Sequence, residues 1–334
     1  MSTTTYDAIL ILSFGGPEGP DDVMPFLDNV LRGRRVPEAR KLEVAEHYEL
    51  FGGVSPINAI NRELAEKLQA ELAGAGHELP VYLGNRNWHP MLADTLREMR
   101  DVGVRRALTF VTSAFSSYSG CRQYKEDVAR AREEVGEGAP ELDKLRLFFN
   151  HPRFIAANST NLAETFEALH DEPEHVPLLF TAHSIPNSMA ASSQYVEQLL
   201  EACQLLANAV GNRNWKLVYQ SRSGPPHQPW LEPDILDHIK DLHEDGATNL
   251  VVHPVGFLCD HLEVLYDLDH EAAETCYALG IHMLRVPTPG CHPEMITMAR
   301  DLIEERLLGT APASAGSLPP WPNTCPPNCC QTPS

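Results

Sequence analysis

No stretch of the 334 residues is apolar for long enough to span a membrane. The apolar run near the start, within MSTTTYDAILILSFGG, is short and has no basic segment ahead of it. The expectation is therefore a cytoplasmic protein; a peripheral membrane contact stays open. Basic residues are scarce, 26 Lys and Arg against 46 Asp and Glu, for a formal net charge of −20. No basic stripe stands out, which argues against nucleic acid as a partner. No Gly-x-Gly-x-x-Gly or P-loop follows any apolar run, which disfavours a generic nucleotide-binding protein. What remains is an ordinary globular composition, 43% hydrophobic and 22% charged, long enough for two domains. Its acidity suits concentrating a divalent cation, although many soluble proteins are as acidic.

Short apolar runs punctuated by Gly and Pro alternate with amphipathic segments along the chain. Strands are expected at Tyr6–Phe14, Pro80–Leu83, Arg106–Thr112, Val176–Phe180, Lys216–Gln220 and Leu250–Pro254. Helices are expected from a cap at Asp21 or Asp22 to Val30, and at Pro56–Leu72, Met91–Met99, Tyr195–Val210 and Glu294–Leu308. The halves also echo each other. DVGVRRALTFVTSAFSS, from Asp101, parallels EDGATNLVVHPVGFLCD, from Glu244; VYLGNR parallels VYQSRS; and SFGGP parallels AHSIP, which sets Phe14 against His183. The fold class expected is α/β: two similar doubly wound, Rossmann-like parallel-sheet lobes facing a central cleft, with ligand at the strand C-terminal ends. The boundaries expected are 1–150 and 151–308 for the lobes, and 309–334 for a Pro-, Ser- and Ala-rich tail that would be disordered if nothing held it.

Two stretches carry chemistry. Glu263, Asp267 and Glu271 recur every four residues, which stacks three carboxylates on one helix face, more closely still if the turn is underwound or π-bulged. His183 sits in the loop after an apolar strand. Carboxylates leading toward an imidazole form an ion path, since divalent cations take oxygen and nitrogen ligands and neutral imidazole accepts protons. A solvated helix face and a hydrogen-bonded structural histidine have the same spacing. Cys203, Cys259, Cys276 and Cys291 are scattered, as buried small hydrophobes would be. Cys325, Cys329 and Cys330 crowd into a tail with no core to bury them, which points to metal.

TAHSIP, QSRSGPPHQPWLEP and GFLCDHLEVLYDLDHEA, in this order, resemble the signature segments of ferrochelatases, as do LILSFGGPEGPDDV and HYELFGGVSPINAIN. The likeness runs from about Tyr6 to Leu308. It implies a bilobal chelatase fold and insertion of ferrous iron, the substrate metal, into a porphyrin with loss of two pyrrole protons. On this resemblance His183 and Glu263 are the catalytic pair and bind the metal, with Asp267 and Glu271 delivering iron or carrying protons outward. His183 either accepts pyrrole protons or holds the iron, and the face of metal entry stays open. Ser55, Arg86, Asn87 and Tyr124 match porphyrin-site positions, and Trp230 is a candidate aromatic wall. Arg32, with Arg34 and Arg35, forms a basic patch suited to propionates.

Phe14 stands where relatives have Tyr or Met; lacking a donor atom, it can only pack. Cys121 takes the place of the remote cysteine in iron–sulfur members, so that Cys121, Cys325, Cys329 and Cys330 would supply a 2Fe-2S cluster. Zinc and an unligated redox tail are the alternatives, and the adjacency of Cys329 and Cys330 leaves one ligand assignment open. SFGGPEGP and SGCRQY resemble the actinobacterial-type branch, which implies coproporphyrin III in preference to protoporphyrin IX. A cobalt or nickel chelatase of the same fold, and a non-catalytic haem- or metal-binding protein, are the competing readings.

Overall fold

The computed structural model describes residues 5–33, 36–225, 227–326 and 329–331. Arg34 and Arg35 of the basic patch lie outside them. The first half contains β1 (Ala8–Ser13), α1 (Pro20–Val30), α2 (Glu38–Glu49), α3 (Ile57–Gly74), β2 (Val81–Asn85), α4 (Leu92–Asp101), β3 (Arg106–Val111), a π-helical turn (Tyr118–Arg122) running into α5 (Gln123–Val135), and β4 (Glu141–Lys144). The second contains α6 (Pro152–Leu169), β5 (Leu178–His183), α7 (Asn187–Ala191), α8 (Tyr195–Ala209), β6 (Trp215–Gln220), α9 (Ile235–Glu244) and β7 (Asn249–His253). It continues through α10 (Leu262–Val264), a π-helix (Leu265–Ala272), α11 (Ala273–Leu279), β8 (His282–Arg285) and α12 (Pro293–Leu307). Among the described residues no helix is long and apolar enough to cross a membrane.

The strands form two four-stranded parallel sheets of identical order, β2-β1-β3-β4 and β6-β5-β7-β8. The central strands are apolar on both faces, as parallel strands sandwiched by helices must be; all of β1 is buried. One core joins the inner faces of both sheets. Ile9, Ile11 and Phe110 from the first and Phe180, Leu217 and Val251 from the second pack with α3, α6, α8 and α12. The outer faces pack separately, against α4 and α5 in one lobe and against α9 and the Leu262–Leu279 helix in the other. Phe154 and Phe180 are fully buried here, and truncating either to Ala would cost about 3–5 kcal/mol.

The internal repeat is present in the strand registers. Ile11 pairs with Phe110 and Phe180 with His253, as the first and third sequence matches require. The VYLGNR–VYQSRS match is three residues out. Ile11 faces Leu83 and Phe180 faces Leu217, so Leu83 corresponds to Leu217. An odd offset swaps sheet faces, and Tyr82 indeed packs on the outer core whereas Tyr219 belongs to the inner one. Val-Tyr suits any half-buried strand, so the matching dipeptide carried no register information.

One other expectation changes, and the condition set on the tail is met. Helix α1 is capped by Gly19, with Asp21 and Asp22 inside its first turn. The tail is held well before its cysteines. Asn150 donates to Leu318 O at 2.8 Å and accepts from Ala315 N, while Glu201 accepts from Leu318 N at 2.9 Å. Arg146, in a buried two-bond pair with Glu305, donates to Ala313 O at 2.8 Å. Leu318 and Trp321 also pack on the main core.

Candidate active site

His183 ends β5 beside Gln220, its register partner at the end of β6. Its Nδ1 contacts Ser184 O, and the Tyr195 hydroxyl donates to His183 O at 3.0 Å, fixing both ring and backbone. Nε2 lies 3.4 Å from Glu263 Oε1. Glu263 enters a helix whose cap is His261: the Nδ1 of His261 accepts from Glu263 N at 3.1 Å. Burial alone would discharge the imidazole, but the charge and hydrogen bond of Glu263, with help from Ser184 O and Asp267, lift His183 to about 9. Burial likewise opposes charge on Glu263, yet His183 and then His261 hold it down at about 2. The resting pair is thus imidazolium and carboxylate. Side-chain exposures of 31% and 45% leave both open to the cleft.

The acidic ladder continues on the π-helix. Its hydrogen bonds reach one residue farther than those of an α-helix, so carboxylates four apart fall more nearly in line. Burial pushes Asp267 up to about 7; bonds from Ser221 and Gln220 oppose this and the charge of Glu263 adds to it. Gln220 Nε2 also donates to Glu263 O at 2.8 Å, so one amide joins two steps of the ladder. Ser221, which donates to Asp267, sits at φ 62°. Glu271, half buried, is raised by desolvation. The first lobe closes on this segment. His47 stacks on Tyr266 at 3.6 Å, and Leu262 packs with Phe26 and Tyr48.

Phe14 is 37% exposed and packs edge-on against Phe26 at 6.2 Å. Asn87 donates to Phe14 O through its backbone N–H (3.1 Å) and its side chain (3.2 Å). Asn29 donates to Asn87 O at 3.1 Å and accepts from Arg32, so Arg32 belongs to this rim. Arg86 lies deeper: its guanidinium sits 4.3 Å over the Tyr124 ring and pairs with Asp127, leaving 5% of its side chain exposed. Tyr124 is buried, as is Ser55, which fills the space behind Gly16, where a Cβ would come within 2.6 Å of Ser55 Cβ. Trp230 bridges to Pro186 in the His183 loop and lays its indole over Gly224. A surface groove of about 620 Å³ between α3 and α12 contains none of these residues.

The four cysteines singled out in the sequence come together. Cys121, on the Tyr118–Arg122 turn, accepts from Lys144 Nζ at 2.9 Å and lies near enough to Cys325 and Cys330 for the three thiols to influence one another. These neighbours lower the Cys121 thiol, and Cys121 in turn raises those of Cys325 and Cys330, which surrender their protons less readily. Cys329 Sγ is 3.4 Å from Cys330 Sγ, and Trp321 donates to Cys325 Sγ at 3.4 Å. Among the described residues no three His, Cys, Asp or Glu side chains stand ready as metal ligands, so the sulfurs are gathered without forming a preset cage. Cys203, Cys259 and Cys276 are buried, and burial raises all three.

Asp127, Lys144 and Tyr195 escape a reading by motif, and Gln220 and Ser221 lie within the QSRSGPPHQPWLEP segment without the motif giving them a role. The register of β5 with β6 was the signal for Gln220, since it puts the end of β6 beside His183.

Twin parallel sheets with an imidazole and carboxylates where their strand ends meet define a two-lobed α/β chelatase fold. SirB from Bacillus subtilis, solved with Fe3+, has a TM-score of 0.56 at 11% identity, covering 91% of this chain and 96% of that one. CbiX, described as the terminal enzyme of sirohaem biosynthesis in denitrifying bacteria, has 0.53 at 16% identity, covering 89% and 98%. At those identities the likeness is one of fold. The ferrochelatase family profile matches residues 6–307, and the chain belongs to the ferrochelatase family. A ferrochelatase of Rhodopirellula baltica is 55% identical, over 97% of this chain and 93% of its own. Coproporphyrin III ferrochelatases of Mycobacteroides abscessus and Nocardia farcinica are 49% and 50% identical, over 97% of this chain and 98% and 96% of theirs.

Proposed function

We propose that this ferrochelatase inserts ferrous iron into coproporphyrin III, using His183 and Glu263 as the reacting pair and Asp267 and Glu271 as the ion path. The observation that carries the reading is the His183–Glu263 contact, continued by Gln220 to Asp267. Insertion exchanges one Fe2+ for two pyrrole protons. The resting imidazolium cannot accept a proton, so it must first lose its own. Ferrous iron arriving at Glu263 supplies the cause: it competes for the carboxylate and repels the imidazolium, removing the attraction that lifts His183. The released proton leaves through Asp267, whose affinity near neutrality lets it both take and give one. Neutral His183 then accepts a pyrrole proton, passes it outward, and accepts the second as the metal settles among the nitrogens. Phe14 and Trp230 act as walls against the macrocycle, and Arg32 as a rim cation for a propionate. Arg86, committed to Asp127, supports the Phe14 wall, its guanidinium lying 5.6 Å from that ring.

The preference for coproporphyrin draws on relatives at about half identity that carry that name. Parallel anaerobic assays of ferrous insertion into coproporphyrin III and protoporphyrin IX, followed by loss of the free-base spectrum, test it. Higher kcat/KM with coproporphyrin is expected; a preference for protoporphyrin overturns the substrate assignment, and no turnover with either overturns the reaction.

Cys121, Cys325, Cys329 and Cys330 fit a 2Fe-2S cluster by donor chemistry, since four sulfurs from distant segments share one site beside a cation. Once bound, such a cluster adds a one-electron redox centre that cross-links tail and lobe. It lies outside the insertion steps, where the cysteines fasten the tail. Their backbone already does so in part, through Cys330 N donating to Ser192 O at 3.2 Å.

A further inference from the structure

A π-helix gives up regular α-helical hydrogen bonding, so something outside it must hold its wide turns in place. Apart from a bond to its neighbour Val286 O at 3.3 Å, the side-chain contacts of Arg285, at the end of edge strand β8, are directed to this task. Its guanidinium forks onto Asp269 in the middle of the π-helix, with Nε to Oδ1 at 2.5 Å and a terminal nitrogen to Oδ2 at 2.9 Å. It reaches Asp260, just ahead of Glu263, at 3.3 Å through both terminal nitrogens. Thr288 Oγ1 donates to the same Asp260 at 2.9 Å. Arg285 therefore grips the ladder segment on either side of Glu263 and Asp267 without touching either one. Its side chain is 15% exposed, against 28% for Asp260 and 33% for Asp269, so this forked network is partly shielded from solvent and stiffer than a fully exposed pair.

The other lobe repeats the arrangement. Thr109 pairs with Lys144 and Val252 with Arg285, and Thr109 corresponds to Val252 in the repeat, so Lys144 and Arg285 occupy equivalent positions. Lys144 likewise ends its edge strand and contacts a π-helical turn, through Cys121 at 2.9 Å. A cation at the end of the edge strand thus braces the π-helical segment of each lobe.

We infer that Arg285 is a positioning residue for iron uptake, bracing the π-helix so that Glu263, Asp267 and Glu271 stay in line. This rests on the ladder being the iron path. Arg285→Lys keeps the charge but cannot fork across two carboxylates. The test compares Arg285→Lys and Arg285→Met with the unaltered protein by hydrogen exchange of the 262–272 segment and by anaerobic kinetics with Fe2+ and coproporphyrin III varied separately. Faster exchange in that segment is expected, together with a rise of about tenfold or more in KM for Fe2+ and little change in KM for porphyrin. Arg285→Met should show the larger effect. Should it not fold, Arg285→Lys alone decides. Unchanged exchange overturns the brace. Faster exchange with unchanged iron kinetics overturns the link to uptake when Glu263→Gln is impaired; if Glu263→Gln is also unimpaired, the ladder reading itself fails.

Discussion

Replacing Glu263 with Gln should lower the proton affinity of His183, and the structure sets the size of the effect. In the intact site the imidazole is held at about 9, with Glu263 the largest of the raising influences and burial acting against it. Glutamine keeps the shape but removes the charge, leaving burial opposed only by Ser184 O and the more distant Asp267. The full shift to the ordinary value is about 2.5 units; with 31% of the side chain exposed, solvent supports part of the imidazolium, and a fall of at least about one unit is expected. The assay is a proton–carbon NMR titration of the imidazoles in histidine-labelled protein without porphyrin or iron, with His183→Ala assigning the resonance. The unaltered protein should also show kcat/KM for Fe2+ rising with pH from about 6.5 toward 9, because neutral imidazole increases tenfold per unit in that window. That rise should flatten in Glu263→Gln. A His183 pKa that is ordinary in the parent, or equal in the two proteins, would refute the ion-pair reasoning.

Lys144→Met should leave purified protein with less bound iron and sulfide than the parent, while Lys144→Arg retains more; equal retention in all three would remove Lys144 from the cysteine site. Gly224→Ala would put a methyl group 2.3 Å from Trp230 Nε1, so the indole must move; KM for porphyrin should rise several-fold with KM for Fe2+ unchanged, and an unchanged porphyrin KM would exclude Trp230 as a wall. His253 is fully buried, and burial holds it at about 4, below its unfolded value near 6.5. The unfolded chain therefore binds the extra proton first, and stability should fall as pH drops from 6.5 to 4, by about 3 kcal/mol at the end of that window. Denaturant titrations of His253→Val should show a shallower acid loss; an equal slope would assign the acid sensitivity elsewhere.

Most of the fold was legible because parallel strands buried on both faces read as short apolar runs, and because the chain repeats itself. What the repeat could not supply was register where the matched residues were generic, as Val-Tyr in β2 and β6 shows. The ladder was legible from its spacing, down to the wide turn it favours. The charge state of its histidine was not. An imidazolium at rest depends on Glu263 approaching to 3.4 Å in a partly dry cleft, which no spacing states. Arg86 read as a cleft cation because its loop was recognisable; its commitment to Asp127 depends on α5 packing against β2's neighbour α4, a tertiary contact. What anchors the tail ahead of its cysteines was illegible for the same reason, since Asn150, Glu201 and Arg146 hold it from far away in sequence.

The most direct test of the central claim is the anaerobic rate of ferrous insertion at saturating porphyrin in His183→Ala and Glu263→Gln, each first checked for bound porphyrin and for an unchanged unfolding transition. Both variants should bind porphyrin and fall by about a hundredfold or more in rate. Near-parental rates in both would contradict the assignment of this pair to the chemistry.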